Sequence, residues 1–72
     1  METNLDRTAK VEFWIESDTR MFALRRVYHV PRVGETCGFK DVRRPVKSVT
    51  WCLDEDATER GVKVQILLGD EL

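Results

Sequence analysis

The stretches of sequence that decide the fold are residues 62–68, VKVQILL, and residues 11–16, VEFWIE. In both stretches an apolar residue occupies every second position. Because successive side chains of a β-strand point to opposite faces, this period of two predicts two strands, each with one face toward a core. A third stretch, 46–53, carries Val49, Trp51 and Leu53 on one face. We expect Trp51 to be a core residue, so that Trp51→Ala costs about 3 to 5 kcal/mol.

Two more strands are predicted between these stretches. Residues 21–30 are rich in β-branched and aromatic types and follow a polar turn, which predicts a hairpin with the first strand. Their alternation changes phase, which indicates a β-bulge near Arg25 and Arg26. The corner 31–35, PRVGE, combines a proline that cannot donate to a ladder with a glycine that accepts a positive φ. This corner leads into a short segment, 36–39, and the residues 41–45 are predicted to be a charged connector.

Five short strands in 72 residues predict an all-β fold. A flat sheet of this size would leave its apolar face uncovered, so the sheet has to curl. The expected fold is a small, strongly bent antiparallel barrel or roll of SH3-like or OB-like size. Its predicted extent is residues 10–69, between a flexible N-terminal segment, 1–9, and a C-terminal tail, 70–72.

The order of these features resembles that of short uncharacterised bacterial, phage or mobile-element proteins. The shared features are the Pro-x-Val-Gly-Glu corner at 31–35 and the two valine-rich strands that follow it, and the resemblance covers roughly residues 11–68. It implies a small β-barrel and an accessory protein of such origin. It carries no activity over to this chain, because corners and valine-rich strands are structural features that many small barrels share.

The composition bears on the compartment and on membrane association. The longest unbroken apolar run, 66–68, is far shorter than the roughly 18 residues that a membrane-spanning helix needs. Cys37 and Cys52 are too few for a disulfide framework, and a bridge between them would require neighbouring strands. The N-terminal residues lack the pattern of a signal peptide. We therefore expect a soluble, cytoplasmic protein with reduced thiols and no membrane partner.

Few residues could carry catalytic or metal chemistry. His29, Cys37 and Cys52 are the soft metal ligands, and they stand in no zinc-binding or nucleophile signature. The acidic residues of 54–59 lack the glycine and glutamate positions of an EF-hand calcium loop. No glycine-rich phosphate loop is present in the sequence. The sequence therefore predicts a non-catalytic protein without a metal or a small-molecule cofactor.

Trp14 is the predicted centre of a protein interface. Alternation points it outward from the first strand, on the same face as Glu12 and Glu16. Tryptophan is enriched in the hot spots of protein interfaces. The leading functional prediction is therefore a small binding module that associates with another protein, or forms a homodimer by pairing of the first strands, through Trp14, Glu12 and Glu16.

An arginine-rich middle segment supports an alternative prediction. Residues 20–47 contain eight basic and two acidic side chains, although the whole chain has a formal charge of -1. Arginine binds phosphate with two parallel hydrogen bonds and stacks on aromatic rings, which suits single-stranded nucleic acid or RNA. In the competing interpretation, the arginines pair across strands with carboxylates such as Glu12 and Glu16. The candidate nucleic-acid-binding residues are Arg25, Arg26, Arg32, Arg43 and Arg44.

Overall fold

The described residues contain five β-strands, which form one strongly curled sheet, a half-barrel. The computed structural model describes residues 8–54 and 61–72. No helix occurs in these two ranges, and the all-β prediction is confirmed. The strand order across the sheet is β2-β1-β5-β4-β3. The strands are β1 (Ala9–Ile15), β2 (Met21–Val27), β3 (Thr36–Phe39), β4 (Val42–Trp51) and β5 (Val64–Leu68).

β1 and β5 lie side by side in the middle of the sheet and run parallel, whereas the other three neighbouring pairs are antiparallel. The predicted barrel was antiparallel throughout, and the parallel pairing of β1 with β5 differs from this prediction. β1 and β5 have the most regular apolar faces in the chain, and a central position buries both. The register aligns these faces at Val11 with Val64, Phe13 with Ile66 and Ile15 with Leu68.

The core lies on the inner face of the curled sheet. The alternation that predicted the apolar faces of the first and last strands is confirmed, because these faces are buried. β4 adds one buried residue, and partly buried side chains at the margin complete the core, among them Val30, Phe39 and Val49. The buried apolar residues are Val11, Phe13, Ile15, Val46, Val62, Val64, Ile66 and Leu68.

The residues 41–45, predicted to be a connector, belong largely to a strand. β4 begins at Val42, and Val42–Pro45 pair with β3. Phe39 pairs with Val42, which leaves Lys40 and Asp41 as a two-residue hairpin turn. Lys40 has a φ of 46°, the positive value that tight hairpin turns require. The charged residues do not end the strand, because the side chain of Arg43 is exposed and the guanidinium of Arg44 lies over the ring of Phe22.

The β-bulge of the first hairpin lies at Phe22, not near Arg25 and Arg26 as predicted. Phe13 pairs with Ala23 and Trp14 pairs with Met21, so Phe22 is the extra residue of β2. The ring of Phe22 packs on Phe39 of β3, with ring centroids 5.0 Å apart. The bulge thus turns an aromatic side chain toward the inner face, where it bridges the two outermost strands.

The predicted corner at 31–35 is confirmed. Glu35 N donates to Arg32 O at 3.0 Å, and Gly34 has a φ of 94°. Glycine adopts this conformation without the steric cost that a Cβ atom brings. Two backbone hydrogen bonds, from Gly34 N to Val46 O and from Val46 N to Glu35 O, then fasten the corner to β4. The corner therefore holds the preceding segment, 28–33, at the open side of the half-barrel.

The first and last described residues lie in the sheet or beside it. β1 begins at Ala9, inside the segment predicted to be flexible, while residues 1–7 lie outside the described part. At the other end, Gly69 N donates to Pro45 O and Leu72 N donates to Arg43 O, so the last residues run along β4. Of the acidic loop, 55–60 also lie outside the described residues. Within 8–54 and 61–72, no helix is long and apolar enough to cross a membrane.

Candidate functional site

An open cleft lies on the inner side of the sheet, between the segment 28–37 and the C-terminal half of β4. Its volume is about 1070 Å³. It exists because β3 has only four residues and pairs with Val42–Pro45, so no described strand covers the rest of β4 on that side. The cleft is lined by Tyr28, His29, Val30, Pro31, Arg32, Val33, Glu35, Thr36, Cys37, Val49 and Trp51.

Trp51 lines this cleft and is 58% exposed, so the prediction that it is a core residue is wrong. The predicted face is correct, because Trp51 pairs with the fully buried Val64 and therefore shares its side of the sheet. The side chain stays exposed because β3 is too short to reach this end of β4. Leu53, predicted to share the inward face, is 90% exposed.

We call this cleft the Trp51 cleft. Trp51, Tyr28 and Val33 form an exposed apolar surface within it. Tyr28 is 62% and Val33 is 63% exposed. Neighbouring exposed apolar side chains on a small domain mark a contact surface far more often than a single one does. No motif in the sequence pointed to this site. The short, glycine-containing segment 36–39 was the available signal, since four residues cannot cover a ten-residue strand.

The charges of the Trp51 cleft are few. Glu35 Oε1 accepts a hydrogen bond from the backbone N of Arg32 at 2.6 Å, within the corner itself. The side chain of Arg32 is exposed, and none of the described carboxylates forms an ion pair with its guanidinium. Arg32 and Glu35 cancel in net charge, so the lining of the cleft combines apolar and polar side chains without a net charge from this pair, and the guanidinium of Arg32 has no ion-pair partner among the described residues.

Cys37 and His29, two of the three soft ligands of the sequence, both line the cleft. Partial burial and, to a lesser extent, the charge of Glu35 raise the pKa of the Cys37 thiol. A raised pKa keeps a thiol protonated near neutral pH, and the protonated form is a poor nucleophile. Among the described residues, no group of three or more His, Cys, Asp and Glu could hold a metal ion.

Cys37 and Cys52 are both free thiols. Cys37 pairs with Arg44 near the start of β4, whereas Cys52 follows its last residue. Strand residues rise about 3.3 Å each, so the two cysteines are on the order of 20 Å apart, far beyond the reach of a disulfide. A bridge between them within one chain is therefore excluded.

The predicted interface around Trp14 lies on the outer face of the sheet. Trp14 is half-buried, and its Nε1 donates to Glu12 Oε1 at 3.0 Å. Gln65 Nε2 donates to the same oxygen at 2.9 Å, and Glu12 is only 1% exposed. Glu12 is thus a buried acceptor that holds Trp14 against the sheet, whereas Glu16 is exposed. The nearby groove, lined by Trp14, Ser48, Thr50, Gln65, Ile66 and Leu67, has a volume of about 250 Å³.

β1 has a strand on each side, β2 and β5. Both rows of its backbone groups are therefore used within the sheet. A dimer formed by pairing of the first strands, as the sequence analysis proposed, is excluded by this central position.

The five candidate arginines do not share one face. Arg25 pairs with Val11 and so lies on the inner side, whereas its neighbour Arg26 pairs with Lys10 on the outer side. Arg43 and Arg44 are likewise split by alternation. Arg44 is tied into the fold, because its guanidinium lies over the ring of Phe22 at 5.5 Å and its Nη1 donates to Gly69 O. Of the five, Arg32 alone lines the Trp51 cleft.

The competing interpretation, in which the arginines pair with carboxylates across the first hairpin, does not match the register either. Glu12 pairs with Leu24, and Arg25 donates to the backbone oxygen of Leu24. Arg26 Nη1 donates to Thr8 Oγ1 at 3.3 Å. The arginines of β2 are therefore solvated side chains at the edge of the sheet, where charge discourages pairing with another chain.

Comparison with protein-family models, with curated proteins and with solved structures found no match. The function therefore has to be inferred from the geometry of the two surfaces described above.

Proposed function

We propose that this protein is a small non-catalytic binding module that associates with another protein through the Trp51 cleft. The observation that carries the proposal is the exposure of Tyr28, Val33 and Trp51 around one open cleft. Exposing these side chains to water is unfavourable, at roughly 25 cal/mol per Å² of apolar surface. A partner that covers them recovers this free energy, and tryptophan and tyrosine are the side chains that most often dominate such interfaces.

Association with another protein is the mode of action that the sequence predicts. The proposed centre of the interface is Trp51, whereas the predicted centre was Trp14. Trp14 is half-buried and hydrogen-bonded to Glu12, so less of its surface is available to a partner. We further propose that the protein acts in the cytoplasm as an accessory protein of bacterial, phage or mobile-element origin. The support for this is the resemblance of the sequence and two free thiols in a small domain.

Binding of single-stranded nucleic acid is a second candidate function. It is favoured by two exposed aromatic rings, Tyr28 and Trp51, beside Arg32, since bases stack on such rings. The charge balance argues against it. One arginine, offset by Glu35, neutralises about one phosphate, which supports a salt slope of only about -0.7 and weak binding. Protein association is therefore the better supported function.

Selection from a library of random linear 12-residue peptides displayed on phage tests the proposal. The wild-type protein is the target, and the double variant Tyr28→Ala/Trp51→Ala is used for counter-selection. We expect enriched peptides that bind the double variant at least 10-fold more weakly than the wild type. Thr50→Ala, on the outer face, is the matched control and should bind the peptides like the wild type. Failure to enrich any peptide sensitive to the double variant would contradict the proposal.

A fluorescent 15-residue oligothymidylate and an oligouridylate of the same length test the second candidate. Their anisotropy is measured with the wild-type protein at 50 and 200 mM salt. We expect no saturable binding at either concentration. Tight binding that weakens steeply with salt and is lost in Tyr28→Ala/Trp51→Ala would favour the nucleic-acid function over protein association.

A further inference from the structure

The C-terminal half of β4 has one edge that no described strand pairs with, the free edge, and this edge forms a wall of the Trp51 cleft. On the side toward β5, Ser48–Trp51 pair with residues 64–67, and Val46 pairs with Leu68 across a register shift at Lys47. On the opposite side, β3 pairs with Val42–Pro45, and the corner adds the two hydrogen bonds to Val46. Beyond Val46, none of the described strands pairs with this side of β4. The ladder that β3 begins therefore stops halfway along the strand.

The direction of the backbone groups at this edge follows from one hydrogen bond. Cys52 N donates to Lys63 O, so the backbone groups of Cys52 point toward the strand that contains Lys63. Backbone N–H and C=O groups of a strand alternate between its two sides. Those of Thr50 therefore also point toward β5, and those of Val49 and Trp51 point toward the cleft. The cleft thus presents two N–H and two C=O groups in the spacing of a β-ladder.

From this arrangement we infer that the partner binds as an extended segment that adds a strand to the free edge of β4. The inference rests on the proposed function and specifies the kind of partner. Main-chain hydrogen bonds to Val49 and Trp51 provide part of the affinity, as in other domains that bind peptides by strand addition. The added strand continues the ladder where β3 ends, between β4 and the segment 28–33.

The side chains around the edge define the chemistry of the segment. Trp51 and Val49 lie on the inner side of the sheet, facing the same cleft as Tyr28 and Val33, so the segment requires apolar side chains at alternate positions. Arg32 lies in the cleft without a carboxylate partner among residues 8–54 and 61–72. A carboxylate in the segment matches this cation. The expected ligand is an extended peptide with alternating apolar residues and at least one acidic residue.

A pair of variants at Val49 separates the backbone contribution from the side-chain contribution. Val49→Pro removes the N–H that points into the cleft, and proline is tolerated at a strand edge whose N–H does not face a neighbouring strand. Val49→Ala removes nearly the same side-chain contacts and retains the N–H. With a peptide enriched in the selection above, we expect Val49→Pro to bind at least 10-fold more weakly than Val49→Ala. Circular dichroism and a melting curve check that both variants fold.

Methylation of the peptide's backbone amides provides a second measurement that needs no protein variant. Each amide of the enriched peptide is N-methylated in turn and its affinity for the wild-type protein is measured. We expect losses of at least 10-fold at every second position over the bound stretch, because one row of amides faces β4. This measurement decides the question if Val49→Pro does not fold.

The outcomes distinguish the two proposals. If the peptide binds both Val49 variants equally, or tolerates methylation without a period of two, strand addition is wrong, while protein association through the cleft stands. If no peptide sensitive to Tyr28→Ala/Trp51→Ala is enriched, the proposed function fails and strand addition falls with it. If the oligonucleotides occupy the cleft instead, both are overturned.

Discussion

The two ends of the half-barrel's inner side differ in what covers them. At one end, Phe39 of β3 packs edge-to-face on Phe13 and on Phe22, with ring centroids 5.1 and 5.0 Å apart. Arg44 lies over Phe22 at the same end. At the other end, Trp51 and Tyr28 face the same side but remain more than half exposed. Aromatic residues close the first end and line an open cleft at the second.

This difference between the two ends shows that the length of β3 determines which aromatic residues belong to the core. β3 has four residues and β4 has ten. Aromatic rings near the half of β4 that pairs with β3 are covered by Phe39 of β3. Aromatic rings near the other half of β4 have no such cover from β3. We therefore expect the closed end to determine stability and the open end to determine binding.

The largest contrast is expected between one ring from each end. Phe13→Ala removes a buried ring that contacts Phe39, and it should destabilise the domain by about 3 to 5 kcal/mol, enough to unfold most of it. Trp51→Ala should cost less, about 1 to 2 kcal/mol, because more than half of its surface is exposed in the folded protein. Urea unfolding followed by circular dichroism measures both. Equal destabilisation by the two variants would mean that the open end is part of the core.

The next largest effect concerns Glu12 on the outer face. Glu12→Ala leaves Trp14 Nε1 and Gln65 Nε2 without their acceptor, and we expect a loss of about 1 to 3 kcal/mol. Glu16→Ala, at an exposed position just after the end of β1, is the control and should stay within about 0.5 kcal/mol of the wild type. The indole fluorescence of Trp14, measured in a Trp51→Phe background, should shift to longer wavelength in Glu12→Ala. An unshifted spectrum with unchanged stability would remove the structural role assigned to Glu12.

A smaller effect is expected where the C-terminal residues pack on β4 at the closed end. A Cβ atom at Gly69 would come within 2.6 Å of Lys47 Cε and 3.2 Å of Pro45 Cγ. Because the lysine can move but the proline ring has little freedom, we expect Gly69→Ala to destabilise by about 1 kcal/mol. Gly38→Ala is the control, since a Cβ there meets nothing closer than 4.0 Å. A change in melting temperature for Gly38→Ala as large as that for Gly69→Ala would contradict this packing.

The smallest effect is a change in thiol reactivity at the open end. Partial burial and the charge of Glu35 raise the pKa of Cys37, so its alkylation rate should rise at a higher pH than that of an ordinary thiol, whose pKa is about 8.5. Glu35→Gln removes the negative charge that opposes thiolate formation, and it should move this rise to lower pH. Iodoacetamide kinetics in a Cys52→Ser background follow Cys37 alone. A profile displaced to higher pH by Glu35→Gln would show that the assigned charge effect has the wrong sign.

Much of the fold was predictable because alternation reports the face of each strand locally. The inner faces of β1 and β5, the extent of β3 and the corner at Gly34 follow from residue types at fixed spacings. The site was less predictable. Val46–Leu53 showed which way Trp51 points, but the coverage of that side depends on another strand. The position of the bulge at Phe22 could not be predicted from the local sequence either, because the ring of Phe22 packs on Phe39, which lies far along the chain.

By itself, the sequence determined the five strands of residues 8–54 and 61–72, which of their faces are apolar and where the corner lies, since these properties depend on neighbouring residues. Only the tertiary structure decided that β1 and β5 are parallel neighbours, that Glu12 is buried on the outer face and that Trp51 is exposed on the inner one. The physical reason is that burial is a property of a pair of surfaces. Alternation specifies one surface, and the order and length of the strands determine whether a second surface covers it.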